Sequence, residues 1–254
     1  MDYLKAFTIG TSGPVWVQHI ALLALTNSNY YDYSFKGYSL IAPIYYGLMT
    51  MIALYIGKTF HYSLQKRLFI TSIISICLVV SLMYNVSRKY YKPYKNYTTN
   101  EWFAYILRNG ARHLINFNLI IYYITFYFSK SYWLRVFIIG SSIFSYFNTY
   151  LKVIWADYKH KLNYDYKHFA VAEPFIQGVD LTISLYIYQT IFGFGLKSSL
   201  LLWNIISSLL QFILAYNLNT YKFNNIEWIQ YFIRVLLTGF IKMIPIYYLL
   251  ISLK

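Results

Sequence analysis

Three polar residues follow one another at intervals of four in the last apolar stretch of the chain, residues 228–252. They are Arg234, Thr238 and Lys242. Residues four apart lie on the same face of a helix. Lys242 falls near the middle of a stretch long enough to cross a bilayer, where a charged ammonium is costly. A desolvated lysine is readily neutral and nucleophilic, and it condenses with aldehydes. The position of Lys242 midway along the last stretch therefore indicates a candidate Schiff-base lysine.

Other apolar stretches carry polar stripes at the same helical spacing. Lipid cannot solvate such stripes, so we expect them to face one another or a wet cavity. Apart from the histidines, and from Arg135 at the edge of its stretch, the ionisable residues inside the stretches are five cations and two anions, which predicts a net-positive polar core. The surplus charge needs water, deprotonation, a bound anion or covalent conversion of a lysine. In the earlier stretches, the stripes are Arg108, Arg112 and Asn116; Asn148 and Lys152; Glu173, Gln177, Asp180 and Ser184; and Asn204, Ser207, Ser208 and Gln211.

Composition places these stripes in a membrane protein. Of the 254 residues, 58% are hydrophobic and only 12% are charged, about half the roughly 25% of a soluble domain. An aromatic content of 22% excludes a disordered chain, and a single cysteine excludes a disulfide framework. We predict an all-α polytopic helical bundle of seven or eight transmembrane helices, in one domain over residues 1–254. Six stretches qualify clearly as spans: 39–57, 68–86, 102–128, 133–155, 199–217 and 228–252. A seventh stretch, 170–196, contains Glu173 and Asp180, and an eighth, 7–27, is interrupted by glycine and proline.

The formal charge of +14 predicts a partner for the loops. Most basic residues lie between the apolar stretches, beside tyrosines, so anionic lipid headgroups are a simpler partner than nucleic acid. With eight spans, the two sides hold eight and nine Lys and Arg residues, which decides no orientation. If residues 7–27 do not span, the counts become seven and ten, which favours a cytoplasmic N-terminus.

The sequence offers little sign of catalysis. No His, Cys, Asp and Glu cluster has the spacing of a metal site, and neither a phosphate-binding glycine loop nor a nucleophile elbow is present. We therefore expect neither a metal nor an enzymatic activity. His19 and His61 lie near the ends of predicted spans, where a histidine is usually structural.

Short patches of the chain resemble the heliorhodopsin family of retinal-binding membrane proteins. The pattern Thr238-Gly-Phe-Ile-Lys242 is similar to the family's Ser-x-x-x-Lys, and Phe60-His61 is similar to the end of its second helix. Residues 4–27 resemble its first helix, notably at Leu4, Phe7 and Gln18. The resemblance implies retinal bound to Lys242 as a Schiff base, a cytoplasmic N-terminus, Thr238 near the Schiff base and Trp203 beside the chromophore. It also suggests a polar network, for which the candidates are His19, His61, Arg108, Arg112, Asn116, Glu173 and Arg234.

The chain departs from the family pattern at the counterion. The family has Trp-x-Glu-Tyr in its third helix, and here Trp102-Phe103-Ala104-Tyr105 has Ala104 in place of the glutamate. Glu101, one turn earlier, and Asp180 are the candidate substitutes. The family also has seven helices, against eight apolar stretches in this chain.

Two other interpretations stay open. In a channel or transporter, Arg112, Arg234 and Lys242 would line an ion path, and Asp180 and Glu173 would compete for them. This reading is compatible with retinal, as light-gated conduction. In the other, the chain is an accessory subunit of a membrane complex. A homo-oligomer is compatible with each of them.

Overall fold

The described part of the chain is helical throughout. The computed structural model describes residues 3–12, 35–87, 97–143, 166–218 and 223–253, with backbone alone at 35–41, 56–57, 86–87 and 166–173. Within those ranges there is no strand, and the predicted all-α class is confirmed. The helices are α1 (residues 3–12), α2 (Phe35–Thr59), α3 (Leu64–Leu82), α4 (Thr99–Ile115), α5 (Tyr122–Tyr127), α6 (Tyr132–Ile143), α7 (Tyr166–Tyr186), α8 (Leu196–Asn217) and α9 (Asn225–Ser252).

Within the described ranges, three helices are long and apolar enough to cross a membrane: Leu64–Asn85, Leu196–Asn217 and Asn225–Ser252. Two shorter apolar helices are Ala42–Tyr55 and Tyr132–Ile143. The total of seven or eight crossings stays a prediction. Most of the predicted stretch 7–27, including His19, and the second half of 133–155, including Lys152, lie outside the described residues.

Side chains at the helix starts explain where several helices begin. At α4, the Thr98 side chain accepts from the backbone N–H of Glu101, and the Glu101 carboxylate accepts from the backbone N–H of Thr98. Asn224 and Glu227 form the same capping box at α9. Each box satisfies two backbone donors that the first helical turn leaves without partners. Between α7 and α8, Gly193 has φ of 70°, a conformation that glycine adopts without steric cost.

Three helices end in, or pass through, a π-helical turn. These turns are Met83–Ser87 after α3, Asn116–Ile121 between α4 and α5, and Ile187–Ile191 after α7. The predicted stretch 102–128 is therefore one helical path with a π-helical turn at its centre. Such turns occur often at functional sites, because the extra residue displaces the side chains around it.

Glycines set the closest approaches between helices. A Cβ atom at Gly10 of α1 would lie 2.4 Å from the carbonyl oxygen of Tyr46 in α2. A Cβ atom at Gly178 of α7 would lie 3.0 Å from the carbonyl oxygen of Phe137 in α6. Small residues at such crossings let helix backbones pack closely, which is how helices associate in membranes.

Helix α6 lies at the centre of the bundle, and residues 138–143 are all buried. It packs on α7 and on α9, and Thr11 of α1 hydrogen-bonds to Ser142. On one side α2, α3 and α4 form an antiparallel series, and on the other α7, α8 and α9 form a second one. Each series encloses a group of buried polar side chains.

Candidate functional site

Lys242 is buried in the packed face of α9, with 6% of its surface exposed. One turn before it, Gly239 lies against Asn204 of α8, so closely that a Cβ atom at Gly239 would be 1.6 Å from Asn204 Oδ1. The missing side chain thus lets α8 pack beside the lysine. Near the ends of this antiparallel pair, Lys197 lies over the ring of Tyr247.

A cavity of about 310 Å³ opens beside Lys242, between α7, α8 and α9. Its volume is at the small end of the range for ligand pockets. Three predicted site residues, Lys242, Trp203 and Asp180, share its wall. The complete lining is Ile176, Gln177 and Asp180 from α7; Trp203, Asn204, Ser207, Ser208, Leu210, Gln211 and Leu214 from α8; and Val235, Gly239 and Lys242 from α9.

Two hydrogen bonds from α8 fix the Asp180 carboxylate in this cavity. Trp203 Nε1 donates to Asp180 Oδ2 at 2.7 Å, and Ser207 Oγ donates to the same oxygen at 2.8 Å. Trp203 is buried, with 2% of its surface exposed, so its indole N–H has an acceptor where water does not reach. The carboxylate is therefore preorganised in the same cavity as the buried lysine.

The cavity is elongated, and its two ends differ in chemistry. Its lining extends from Trp203 to Leu214 along α8, about 16 Å at 1.5 Å per residue. Because α8 and α9 are antiparallel, Lys242 lies at the Trp203 end. Leu210, Leu214 and Ile176 line the other end, and amide and hydroxyl groups lie between. A long ligand with one reactive polar end and an apolar body matches this order.

Two other predicted residues of α9 lie outside the cavity wall. Thr238 is half-buried and directly precedes Gly239, whose position does line the cavity. Arg234 is also half-buried, and its guanidinium carbon lies 5.4 Å from the centre of the Tyr231 ring. Among the three residues of the predicted stripe, Lys242 alone is in the described lining.

Glu101, one of the two candidate counterions, serves as a helix cap. Its Oε2 accepts from the backbone N–H of Thr98 at 2.7 Å and from Thr98 Oγ1 at 2.8 Å. These hydrogen bonds stabilise the charged carboxylate and lower the pKa of Glu101 below its usual value. Glu101 is not in the described cavity lining, whereas Asp180 is. Of the two candidates, Asp180 is the one that lies in the described lining of the Lys242 cavity.

The predicted polar network is divided between different places. Arg108 and Arg112 are half-buried on α4, and Arg112 donates to Asn109 Oδ1, while Asn116 is fully buried. His61 is exposed in the turn between α2 and α3, with φ of 51°. His19 lies outside the described residues, as does the side chain of Glu173.

A second polar cluster, which the sequence reasoning missed, lies between α2, α3 and α4. It consists of Tyr45, Ser75 and His113: Tyr45 Oη is 2.6 Å from Ser75 Oγ, and Ser75 Oγ is 3.0 Å from His113 Nδ1. A signal was present, because Tyr105, Asn109 and His113 are four apart and form the buried face of α4. The prediction centred that face on Arg108 and Arg112, one residue away.

No family model, curated protein or solved structure matches the chain. Function has to be inferred from the chemistry of the Lys242 cavity and its surroundings.

Proposed function

We propose that the chain is a membrane photoreceptor that carries retinal covalently on Lys242, with Asp180 as the counterion. The main observation behind this proposal is that a buried lysine and a hydrogen-bonded carboxylate line the same elongated cavity. Retinal, when bound, supplies light absorption and photoisomerisation. The resemblance of the Thr238 to Lys242 segment to heliorhodopsins led to the same lysine from sequence.

The membrane setting rests on the outer surface of the helices as well as on their length. Large apolar side chains point outward on several of them, including Phe69, Leu119 and Leu237, which are 52%, 64% and 55% exposed. Water-exposed apolar surface of this extent is rare on soluble monomers, whereas lipid accommodates it. Together with the three long apolar helices, this supports a multi-pass bundle of seven or eight spans with basic loops at the headgroups.

The residues of the cavity have distinct tasks in this proposal. Lys242 would supply the nitrogen that replaces the aldehyde oxygen of retinal, which leaves as water, and its burial keeps competing water away. Asp180 provides the negative charge that a buried cationic nitrogen requires, and Trp203 holds that carboxylate in place. The Trp203 ring also gives a flat apolar wall beside the attachment point. Leu210 and Leu214 offer an apolar environment to the far end of the ligand.

Reconstitution with retinal tests this function. The purified parent protein should acquire an absorption band with all-trans-retinal, and Lys242→Ala should abolish it. Lys197→Ala is the matched control, because Lys197 is an exposed lysine near the start of α8, and it should keep the band. Asp180→Asn should lower the pH at which the band converts to its deprotonated form. A parent protein without a band, or a Lys242→Ala variant that keeps it, refutes the proposal.

Ion or polar-solute passage is the second candidate, and the middle of the cavity favours it. Gln177, Ser207, Ser208 and Gln211 present amide and hydroxyl groups along one side of the space. Rings of such groups replace part of the hydration of a permeating ion. Liposome flux, measured in darkness and under illumination with retinal, separates a constitutive from a light-gated path. Flux that Lys242→Gln and Gln211→Leu both leave unchanged argues against transport through this cavity.

A further inference from the structure

The second polar cluster contains buried polar atoms that the protein does not satisfy. His113 and Asn116 both have 0% of their surface exposed. Within the part of the chain that the structure describes, His113 Nε2 and both amide atoms of Asn116 have no hydrogen-bond partner. Buried polar groups in native proteins almost always have a partner, which is either protein or ordered water. These three atoms therefore point to a component that the side chains alone do not supply.

The two residues lie close together on one helix. His113 and Asn116 are three apart along the helix, so their side chains are neighbours on one face. Asn116 is the first residue of the π-helical turn Asn116–Ile121, which displaces it from the regular α-helical position. His113 is fixed on its other side, because Nδ1 lies 3.0 Å from Ser75 Oγ. The ring cannot turn Nε2 towards the protein without breaking that bond.

Aromatic rings pack against the His113 imidazole. The rings of Tyr46 and Phe117 stack on His113, with centroid distances of 5.8 and 6.3 Å. A water molecule is stable in a protein interior when it has two to four polar partners, and His113 Nε2 with the two amide atoms of Asn116 provides three.

We propose that His113 Nε2 and the Asn116 amide form a binding site for internal water. Water bound there completes a hydrogen-bonded chain that begins at Tyr45, passes through Ser75 and His113, and ends at the π-helical turn. Water is the ligand class because the site offers both donors and acceptors beside the aromatic rings of Tyr46 and Phe117. The chain of bonds joins α2, α3 and α4. It belongs to the other series of helices from the Lys242 cavity, and it is independent of retinal.

Magnetisation transfer from water to ¹⁵N-histidine in the full-length protein, in detergent or lipid, tests the site. The parent protein should show transfer to His113 Nε2 in spite of its burial, and His113→Gln identifies the signal. Asn116→Leu should reduce the transfer at least threefold while the Nδ1 signal, which reports the Ser75 bond, keeps its position. Ser75→Ala should shift the Nδ1 signal and keep the water transfer.

The control is Asn118→Leu, in the same π-helical turn. Asn118 Nδ2 already donates to the Leu114 carbonyl at 3.1 Å, so its loss should leave the water signal at His113 unchanged. Absence of transfer in the parent protein overturns the proposal, whatever the variants do. Transfer that survives Asn116→Leu, or that Asn118→Leu abolishes equally, also overturns it.

Discussion

The Trp203–Asp180 hydrogen bond is a direct measure of how strongly the cavity organises its carboxylate. We would replace Trp203 with Phe, which removes the N–H and keeps an aromatic ring, and Asp180 with Leu, which removes the acceptor and keeps a similar shape. Each change would be made alone and both together. In Asp180→Leu, the buried indole N–H is left without its acceptor, and the double variant removes that penalty.

The structure sets the expected magnitude. A buried donor without a partner costs about 1–3 kcal/mol, and hydrogen bonds inside membrane proteins couple by about 0.6 kcal/mol on average, with a maximum of about 1.7. The bond is 2.7 Å long, its donor is 2% exposed and its acceptor is a carboxylate. We therefore expect a coupling of about 1.5 kcal/mol between the Trp203 and Asp180 changes.

Unfolding in mixed micelles of detergent and denaturant gives the four free energies of this cycle. A second cycle, with Ser207→Ala in place of Trp203→Phe, is the internal control. Ser207 is half-buried and its hydroxyl can turn to another acceptor when Asp180 is replaced, so its coupling to Asp180 should be about 0.5 kcal/mol. A Trp203 coupling below about 0.5 kcal/mol, or no larger than that of Ser207, refutes the preorganised carboxylate.

Two more predictions concern the scaffold around the sites. Gly10→Ala should destabilise the protein by about 1–2 kcal/mol, because the cost of overpacking against the Tyr46 carbonyl exceeds the helix-propensity gain of alanine. Gly110→Ala, whose Cβ would have its nearest neighbour at 3.9 Å, should stabilise the protein by about 1 kcal/mol. Thermal melts in which the two variants shift the melting temperature in the same direction contradict this. At α4, the lowered pKa of Glu101 means that its cap stabilises the helix start above pH 4.5 and is lost as the pH falls through the folded value. The protection factors of the amides in the first turn of α4, which correct for the intrinsic pH dependence of exchange, should therefore fall on acidification. Glu101→Gln should remove that fall. An equal fall in the variant excludes the cap as its source.

Helix positions were predictable because they depend on local pattern. Apolar stretches of about 20 residues predicted α3, α8 and α9 to within a few residues, since backbone groups in lipid must be paired within the segment. The capping boxes that begin α4 and α9 are also local, with Glu three residues after Thr98 and Asn224. The π-helical turns carry no comparable pattern and were not predicted.

Half of the Lys242 cavity was also predictable. Gln177 and Asp180, three apart, were expected on one face of α7, and both line the cavity. The stripe Arg234, Thr238 and Lys242 was less informative, because spacing by four selects a face without saying which residue of it is packed. The contact of α8 at Gly239 decided that Lys242 lines the cavity.

By itself, the sequence determined the class of structure and the residues whose side chains can take part in chemistry. Hydropathy and helical spacing are properties of consecutive residues, so they revealed long apolar helices with Lys242 and Asp180 inside apolar stretches. Only the tertiary structure decided which of these residues meet. Gly239 permits α8 to pack closely against α9 beside Lys242, and no local pattern encodes the partner of such a crossing. The same reason explains why the cluster at His113 emerged only from the packed bundle: its members come from three helices, and their contacts are distant in sequence.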